Sequence, residues 1–594
     1  MRRWVLCAAV TLAIGLECNS QEYDSYTAIS EFTGNISLED IDPEEVERLE
    51  KLLLRPLQIN MMTAARLREC GLLTQYQTAS LVTYRSLHGD VHSLTELAAI
   101  DGFGQEFVKK LAPFISLRSR LPSAGRSIDR RRISQEIEVK GGVRAGEKVS
   151  GQYAARYMID AGGSLSGSIS VSKSADSDKP DAISGNLFWH SQRHSAKLGA
   201  GSFNARFGQG LALWNGMSIS GQNRPSSYLK KTSYISPSNS FTGNYSFKGL
   251  AAEVTAGCFK LSALAALTEK RNNLGFLPAG NISWLWPFGQ IGLTQYVEFA
   301  NHMIPDMKTS CDIALTIQGV DLFAEAVYDW CGRAAASLAG IVFPVGENLK
   351  FGTVLRYYPA DFNSTYSAAI RSLTNCSNEY AASLSSEFSG GSWIRINGHE
   401  GFASNHRRFS GSASLDAARF PLAHYGGNSG TLQIKSLADM RIMLSGSLEL
   451  NFRLSERYRT WGKNFRTDAR LDISYYSRLF DLSFRANAVK CNDVSFLFYA
   501  EGTFHRASLK LHFRTGVFHA DRWDDRIYAY ERDIPGSFNV PAYYGRGYWI
   551  SFTGNWKFAR WGRAYLRGSM TQYPFMQTKK PGKAELKLML KFQI

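Results

Sequence analysis

From about Gln135 to Ile594 apolar and polar positions alternate with a period of two, and the alternation runs for about 460 residues. Leu586, Leu588, Leu590, Phe592 and Ile594 share one face of the last run, while Glu585, Lys587, Met589, Lys591 and Gln593 share the other. Leu509, Leu511, Phe513, Thr515 and Val517 alternate with Ser508, Lys510, His512, Arg514 and Gly516 in the same way, as do Leu448–Leu454 and Leu471–Tyr475 with their neighbours. Upstream the pattern is helical. Asp42-Pro43 reads as an N-cap followed by proline at the first helical position, and Val46, Leu49, Leu52 and Leu53 form one apolar face. Asn60 is the expected cap of the next helix, and Ser93-Leu94-Thr95-Glu96 reads as a capping box.

Alternation alone suits a soluble sandwich as well as a barrel. The run is longer than one sandwich core uses, and its polar faces mix Arg, Lys and Glu as a wet lumen with paired charges would. It also closes on a strand ending in Phe592-Gln593-Ile594, which resembles the C-terminal insertion signal of outer-membrane proteins. The predicted fold is a transmembrane antiparallel β-barrel of roughly 14–20 strands, each of ~9–11 residues, after a small all-α domain. Tyr475, Tyr476, Tyr499, Trp549 and Trp561 are expected in the interfacial girdles. With both chain ends in the periplasm, Thr571–Gly582 and Asp533–Gly545 are expected to be extracellular.

The chain opens with Arg2-Arg3, an uncharged apolar run Trp4–Leu16 and small residues at Cys18 and Ser20, which reads as a signal peptide over 1–20 with Gln21 as the mature start. Residues 21–41 are polar and acidic and are expected to be flexible. The helical domain is assigned to 42–117, a basic connector to 118–134 and the barrel to 135–594, which places the barrel in the outer membrane and the helical domain in the periplasm.

The formal charge of +16 suits anionic partners: lipid headgroups, lipopolysaccharide or nucleic acid. Cys70, Cys258, Cys311, Cys331, Cys376 and Cys491 have neither zinc nor CxxC spacing. Cys311 and Cys331 are either a pair across neighbouring strands or free thiols. The Gly-rich stretch with His399-Glu400 and His406-Arg407-Arg408 lacks HExxH, and no GxSxG occurs, so no enzyme, metal or cofactor is expected. Phe207-Gly208-Gln209-Gly210 lacks the Lys-Ser/Thr of a phosphate loop and is expected to be a bulge or bend in a strand.

Ile59-Asn60, Leu67, Tyr84-Arg85, Gly89, Ser93, Leu97, Ile100, Gly102-Phe103-Gly104, Leu111 and Phe114 resemble the tandem helix-hairpin-helix domain of periplasmic competence DNA-uptake proteins. Phe207–Leu211 and Tyr530-Glu531-Arg532-Asp533-Ile534-Pro535-Gly536-Ser537 extend the resemblance to a family of large outer-membrane barrels carrying such a domain. It implies a sequence-independent contact of helix N-terminal amides with the phosphates of double-stranded DNA, by way of Gly102, Gly104, Gln105, Lys109 and Lys110. Gly71-Leu72-Leu73-Thr74 departs from a Gly-apolar-Gly turn, and Asp101 and Glu106 flank the second turn. Arg118, Arg120, Arg126, Arg130, Arg131 and Arg132 of the connector are expected to meet anionic headgroups or nucleic-acid phosphates. Three functions stay open: nucleic-acid binding or uptake, a scaffold gripping a periplasmic protein, and a pore for another solute.

Overall fold

A computed structural model describes residues 25–33, 41, 43–118 and 133–593, apart from 162–163, 176, 178, 192–194, 217–223, 242–245, 271–272, 301–304, 347, 364, 392–407, 424–429, 446, 463–464, 478, 507 and 577–580. The signal segment, Asp42 and the His399–Arg407 stretch fall outside the described residues.

The alternating region closes into a barrel of 24 antiparallel strands, from Ile133–Ala145 to Lys583–Gln593. The last strand pairs with the first, from Ala584↔Ala145 to Gln593↔Glu136, so the sheet has no free edge. A short strand, Tyr234–Pro237, is inset beside Ala196–Arg206. The even number puts both ends of the barrel at one rim. The count exceeds the expected 14–20 because several hairpins turn without a cluster of Gly and Pro. Gln318-Gly319 joins Asp306–Ile317 to Val320–Asp329, and Arg560-Trp561 joins Gly545–Ala559 to Gly562–Gln572. Reading turns from Gly and Pro clusters therefore merges neighbouring strands. The strands run from 9 to 15 residues, enough for a tilted crossing.

The faces sort as the alternation requires. Ile183 and Leu250 stand 66% and 64% exposed on the outside, which in water would be an extended apolar surface. Leu586, Leu588, Phe513, Val517, Leu471 and Ile473 lie on that side as well. Inside, charges pair across strands: Arg453 with Asp439 at 2.7 Å, Arg356 with Glu379 at 2.8 Å and Lys591 with Glu136 at 2.6 Å. An apolar exterior around a charged, paired interior is the arrangement of an outer-membrane barrel. Phe558, Trp561 and Phe592 cluster near the rim that carries the chain ends, with Trp561 and Phe592 stacked at 6.0 Å. Tyr499 and Trp549 are not girdle residues. Both point inward, Trp549 fully buried and edge-on to Tyr499, because Arg485 and Arg514 offer Tyr499 cation–π contacts that lipid cannot.

Helices Pro43–Leu54, Ala64–Glu69, Gln75–His88, Leu94–Ala99 and Gly104–Leu111 surround a core of Val46, Leu49, Leu67, Leu81, Leu97, Val108 and Phe114. Thr63, rather than Asn60, caps Ala64–Glu69. The Asn60 amide instead ties distant chain together, donating to Val91 O and Leu117 O at 2.9 Å each. Ser93 accepts from Glu96 N at 3.0 Å, one half of the expected capping box, with the Glu96 carboxylate accepting from His92 N at 2.7 Å, and Thr74 with Gln77 forms a complete capping box. Residues 21–41 are not flexible throughout: Ser25–Thr33 is a helix whose Ala28 and Ile29 are buried in the same core, with Phe32 against Phe114. Cys311 and Cys331 are free and exposed.

Candidate functional site

The helical domain does not stand free on the periplasmic side. It sits inside the lumen, in the half nearest the chain ends, because the inward charges of the wall find their partners on it. Arg156 bridges Glu138 of the wall and Glu47 of the domain, the latter at 3.0 Å. Lys197 joins Glu69 at 2.8 Å to Glu253 at 2.6 Å. Arg441 donates to Ser30 Oγ at 3.1 Å, and Arg55 lies 3.6 Å from Glu136. Gln75 donates to Trp286 O at the rim, at 3.4 Å. These contacts are ionic and polar, whereas the apolar core of the domain is nearly complete by itself.

The lumen is filled from the opposite rim by long connections that fold inward. The stretch 521–544, whose second half was expected to be extracellular, brings Tyr530 and Phe538 onto the helical core. Its Tyr530–Ser537 segment is bolted to the wall: Arg567 donates to Glu531 at 2.6 Å, Arg532 to Glu501 at 2.8 Å, and Lys587 to Asp533 at 2.7 Å. Lys140 donates to Gly536 O at 3.1 Å. The stretch 207–246 contributes Lys231, which donates to Leu72 O at 2.9 Å and which burial brings down to about 8. Between domain, connection and wall is a cavity of about 40 Å³ bordered by Arg68, Gln75, Lys231, Gln290 and Thr316, room for a few waters and not for a solute.

Phe207–Gly210 is a buried tight turn rather than a bulge. Its amides converge on one carboxylate: Gln209 N, Leu211 N and Ala212 N donate to Glu325 at 2.7, 3.0 and 3.0 Å. A Cβ on Gly208 would lie 2.8 Å from that carboxylate, so glycine is what lets the turn wrap it. The glycine pattern thus does cradle an anion, but the anion belongs to the protein.

On the domain, burial raises Glu47, but Lys51 and Arg156 outweigh it and hold the carboxyl down at about 2. Glu50 is pushed up to about 7 by burial and by the charge of Glu47, against Lys51 and Lys591.

The two glycine turns of the domain differ in access. At the first, Arg48 donates to Cys70 O, and a Cβ on Gly71 would lie 2.8 Å from its guanidinium, so the protein's own cation covers the turn. At the second, Gly102 (φ +84°) receives Gln77 on its carbonyl at 2.8 Å and packs against Tyr76, while a Cβ on Gly104 (φ +66°) would meet open space. Gln105 and Lys109 are exposed, Lys110 is half-buried, and Lys109 lies 3.5 Å from Glu106. Of the predicted phosphate-contact residues, the turn glycines, Gln105 and Lys109 are therefore brought to one accessible edge. Of the connector arginines Arg118 is exposed, and Arg120, Arg126, Arg130, Arg131 and Arg132 lie outside the described residues. The wall residues that hold the domain, Arg156 and Lys197 above all, were not singled out in the sequence, where they are ordinary inward members of alternating runs.

No family profile matches the chain, and no curated protein does. Solved structures similar to it include the P pilus usher PapC translocation pore, with 11% identity, a TM-score of 0.36 and coverage of 78% of this chain and 99% of that one. The siderophore receptor PirA from Pseudomonas aeruginosa has 10% identity, a TM-score of 0.36 and coverage of 78% and 80%. Pseudomonas aeruginosa OpdQ has 8%, 0.29, and 78% and 98%. The fold stands on the strand register above and not on these likenesses.

Proposed function

We propose that the protein is a gated outer-membrane channel and that residues 25–118 are its plug. The observation that carries this reading is the chemistry of the plug–wall contact. A permanently built-in domain is expected to share an apolar core with its surroundings. Here the domain keeps a core of its own residues, touched from outside, among the described apolar residues, by Tyr530 and Phe538 alone, and meets the wall itself through Arg156–Glu47, Lys197–Glu69 and Arg441–Ser30. Each of these cations keeps a wall partner when the domain leaves, Glu138 for Arg156, Glu253 for Lys197 and Glu449 for Arg441, so undocking orphans none of the three. Planar-bilayer recording tests it: the full chain stays closed at rest with rare openings, and a variant lacking 25–118, whose lumen the inward connections then fill alone, opens far more often. A full chain that carries a steady large current ends this reading.

A second reading keeps nucleic-acid contact at Gly102, Gly104, Gln105, Lys109 and Lys110, favoured by the open, exposed turn at Gly104. Duplex-DNA binding by the full chain across a salt series checks it, with a slope of about −0.9 per phosphate contact and loss of affinity in Gln105→Glu with Lys109→Glu. Absence of binding at low salt removes it, and capture of a periplasmic protein through the same edge would favour a scaffold.

A further inference from the structure

We infer that the opposite mouth of the lumen carries a binding site for a soluble multivalent anion, of phosphate or carboxylate chemistry, built by Arg457, Arg459, Arg466 and Arg526. The register places it. Lys435 lies directly across from Arg457, and Arg457 directly across from Arg466, three cations at one level on adjacent strands and all facing inward. Like charges in direct cross-strand opposition are destabilising, and elsewhere on this wall an arginine has a carboxylate beside it, as Arg453 has Asp439, Arg470 and Arg485 have Asp472, and Arg514 has Glu501.

At the mouth the acceptors are neutral. Arg466 donates to the carbonyls of Asp524 and Arg526 at 2.6 and 2.9 Å. Arg526 donates to Tyr528 Oη at 2.7 Å and Trp523 O at 2.8 Å, and Arg459 to Gln433 Oε1 at 2.6 Å. Arg457 has no hydrogen-bond partner among the described residues, and its Nε is buried. The acids beside the cluster are Asp416, directly across from Lys435 and held by Arg356, Asp468, 4.0 Å from Arg466, the exposed Asp524, and the buried Asp525, which accepts from Asn492 N, fewer than its cations. Two of the guanidiniums also stand over indoles, Arg459 on Trp461 at 5.1 Å and Arg526 on Trp523 at 4.5 Å. Such platforms fix the fork of an arginine without neutralising it, which leaves its charge-assisted hydrogen bonds for a ligand. The site stands whether or not the plug moves, since binding is measured without transport.

Calorimetric titration of the full chain in detergent with sodium tripolyphosphate tests the site. Wild type is expected to bind at low salt and to weaken as salt rises. Arg457→Gln with Arg466→Gln should lose tenfold or more in affinity, while Arg144→Gln, an exposed arginine elsewhere, should not. The double variant should also melt no lower than wild type, because it removes like charges in opposition, and this separates lost binding from lost folding. Equal affinity in wild type and double variant, or no binding at low salt, overturns the proposal. A parallel titration in vesicles containing lipopolysaccharide should give the same affinity. Complete block by lipopolysaccharide would assign the cluster to headgroups and overturn the soluble ligand.

Discussion

Replacing Glu47 by Gln removes the carboxylate that Arg156 reaches across the plug–wall boundary. The bond is 3.0 Å long and the Arg156 side chain is 2% exposed, so solvent does little to screen it. A charge-assisted bond of this kind contributes about 1.5–3 kcal/mol. The loss stays at that level rather than reaching that of an orphaned buried charge, because Glu138 continues to pair with Arg156. About 2 kcal/mol corresponds to a roughly 30-fold rise in the undocked fraction. Limited trypsin digestion reads it out, since Arg48 and Lys51 lie on the docked helix, and cleavage follows the open population when redocking is fast. Glu47→Gln should be cut roughly 30-fold faster than wild type. Glu106→Gln, whose partner Lys109 is on the exposed edge, should be cut at the wild-type rate. Equal rates in wild type and Glu47→Gln, or equal acceleration in both variants, would refute the reasoning. The pH dependence follows from the depressed carboxyl: the contribution of Glu47 is complete above about 4.5 and is lost as pH falls toward about 2.

Glu50 acts in the opposite sense. Its docked carboxyl titrates at about 7, so the docked state holds a proton that the undocked state gives up from about 4.5 upward, and docking weakens as pH rises from there through 7. Glu50→Gln should abolish that segment of the pH profile of tryptic cleavage, and a persistent profile would count against it. Phe592→Asp removes the ring contacts with Trp561 and Phe558, about 1–3 kcal/mol, and places a charge in the aromatic rim; the heat-modifiable barrel form in outer-membrane fractions should fall sharply. Glu325→Gln leaves the turn at 207–212 without the charge its amides converge on. Those amides should lose hydrogen-exchange protection by about 2–4 kcal/mol while the barrel persists.

The barrel was legible because a two-residue period survives whatever packs inside it. Leu586, Leu471 and Phe513 sort outward and Lys591, Asp472 and Arg514 inward as their alternation requires. What fills the lumen was not legible. The alternation fixes only that Arg156 and Lys197 face inward, and gives no sign that their partners are on helices more than a hundred residues upstream in one case and 128 in the other. Tyr499 and Trp549 misled for a related reason: aromatic residues at strand ends serve a lipid interface or a lumenal cluster equally well, and Arg485, Arg514 and Tyr543 decide between them only in three dimensions. The helix Ser25–Thr33 was hidden because its buried residues Ala28 and Ile29 are few and its surroundings polar. The glycines marked the turns correctly, but access to the first is closed by Arg48, which lies on the helix Pro43–Leu54 ahead of that hairpin.

The central claim is that the helical domain occupies the lumen, and photo-crosslinking in intact outer membranes tests it most directly. A benzoylphenylalanine in place of Gln75, whose amide meets the Trp286 carbonyl at the rim, should yield an intramolecular crosslink. Mass spectrometry should map that crosslink to the hairpin formed by Asn273–Trp286 and Gly289–Ala300. Crosslinks to other proteins alone, with none to that hairpin, would place the domain outside the barrel and contradict the account.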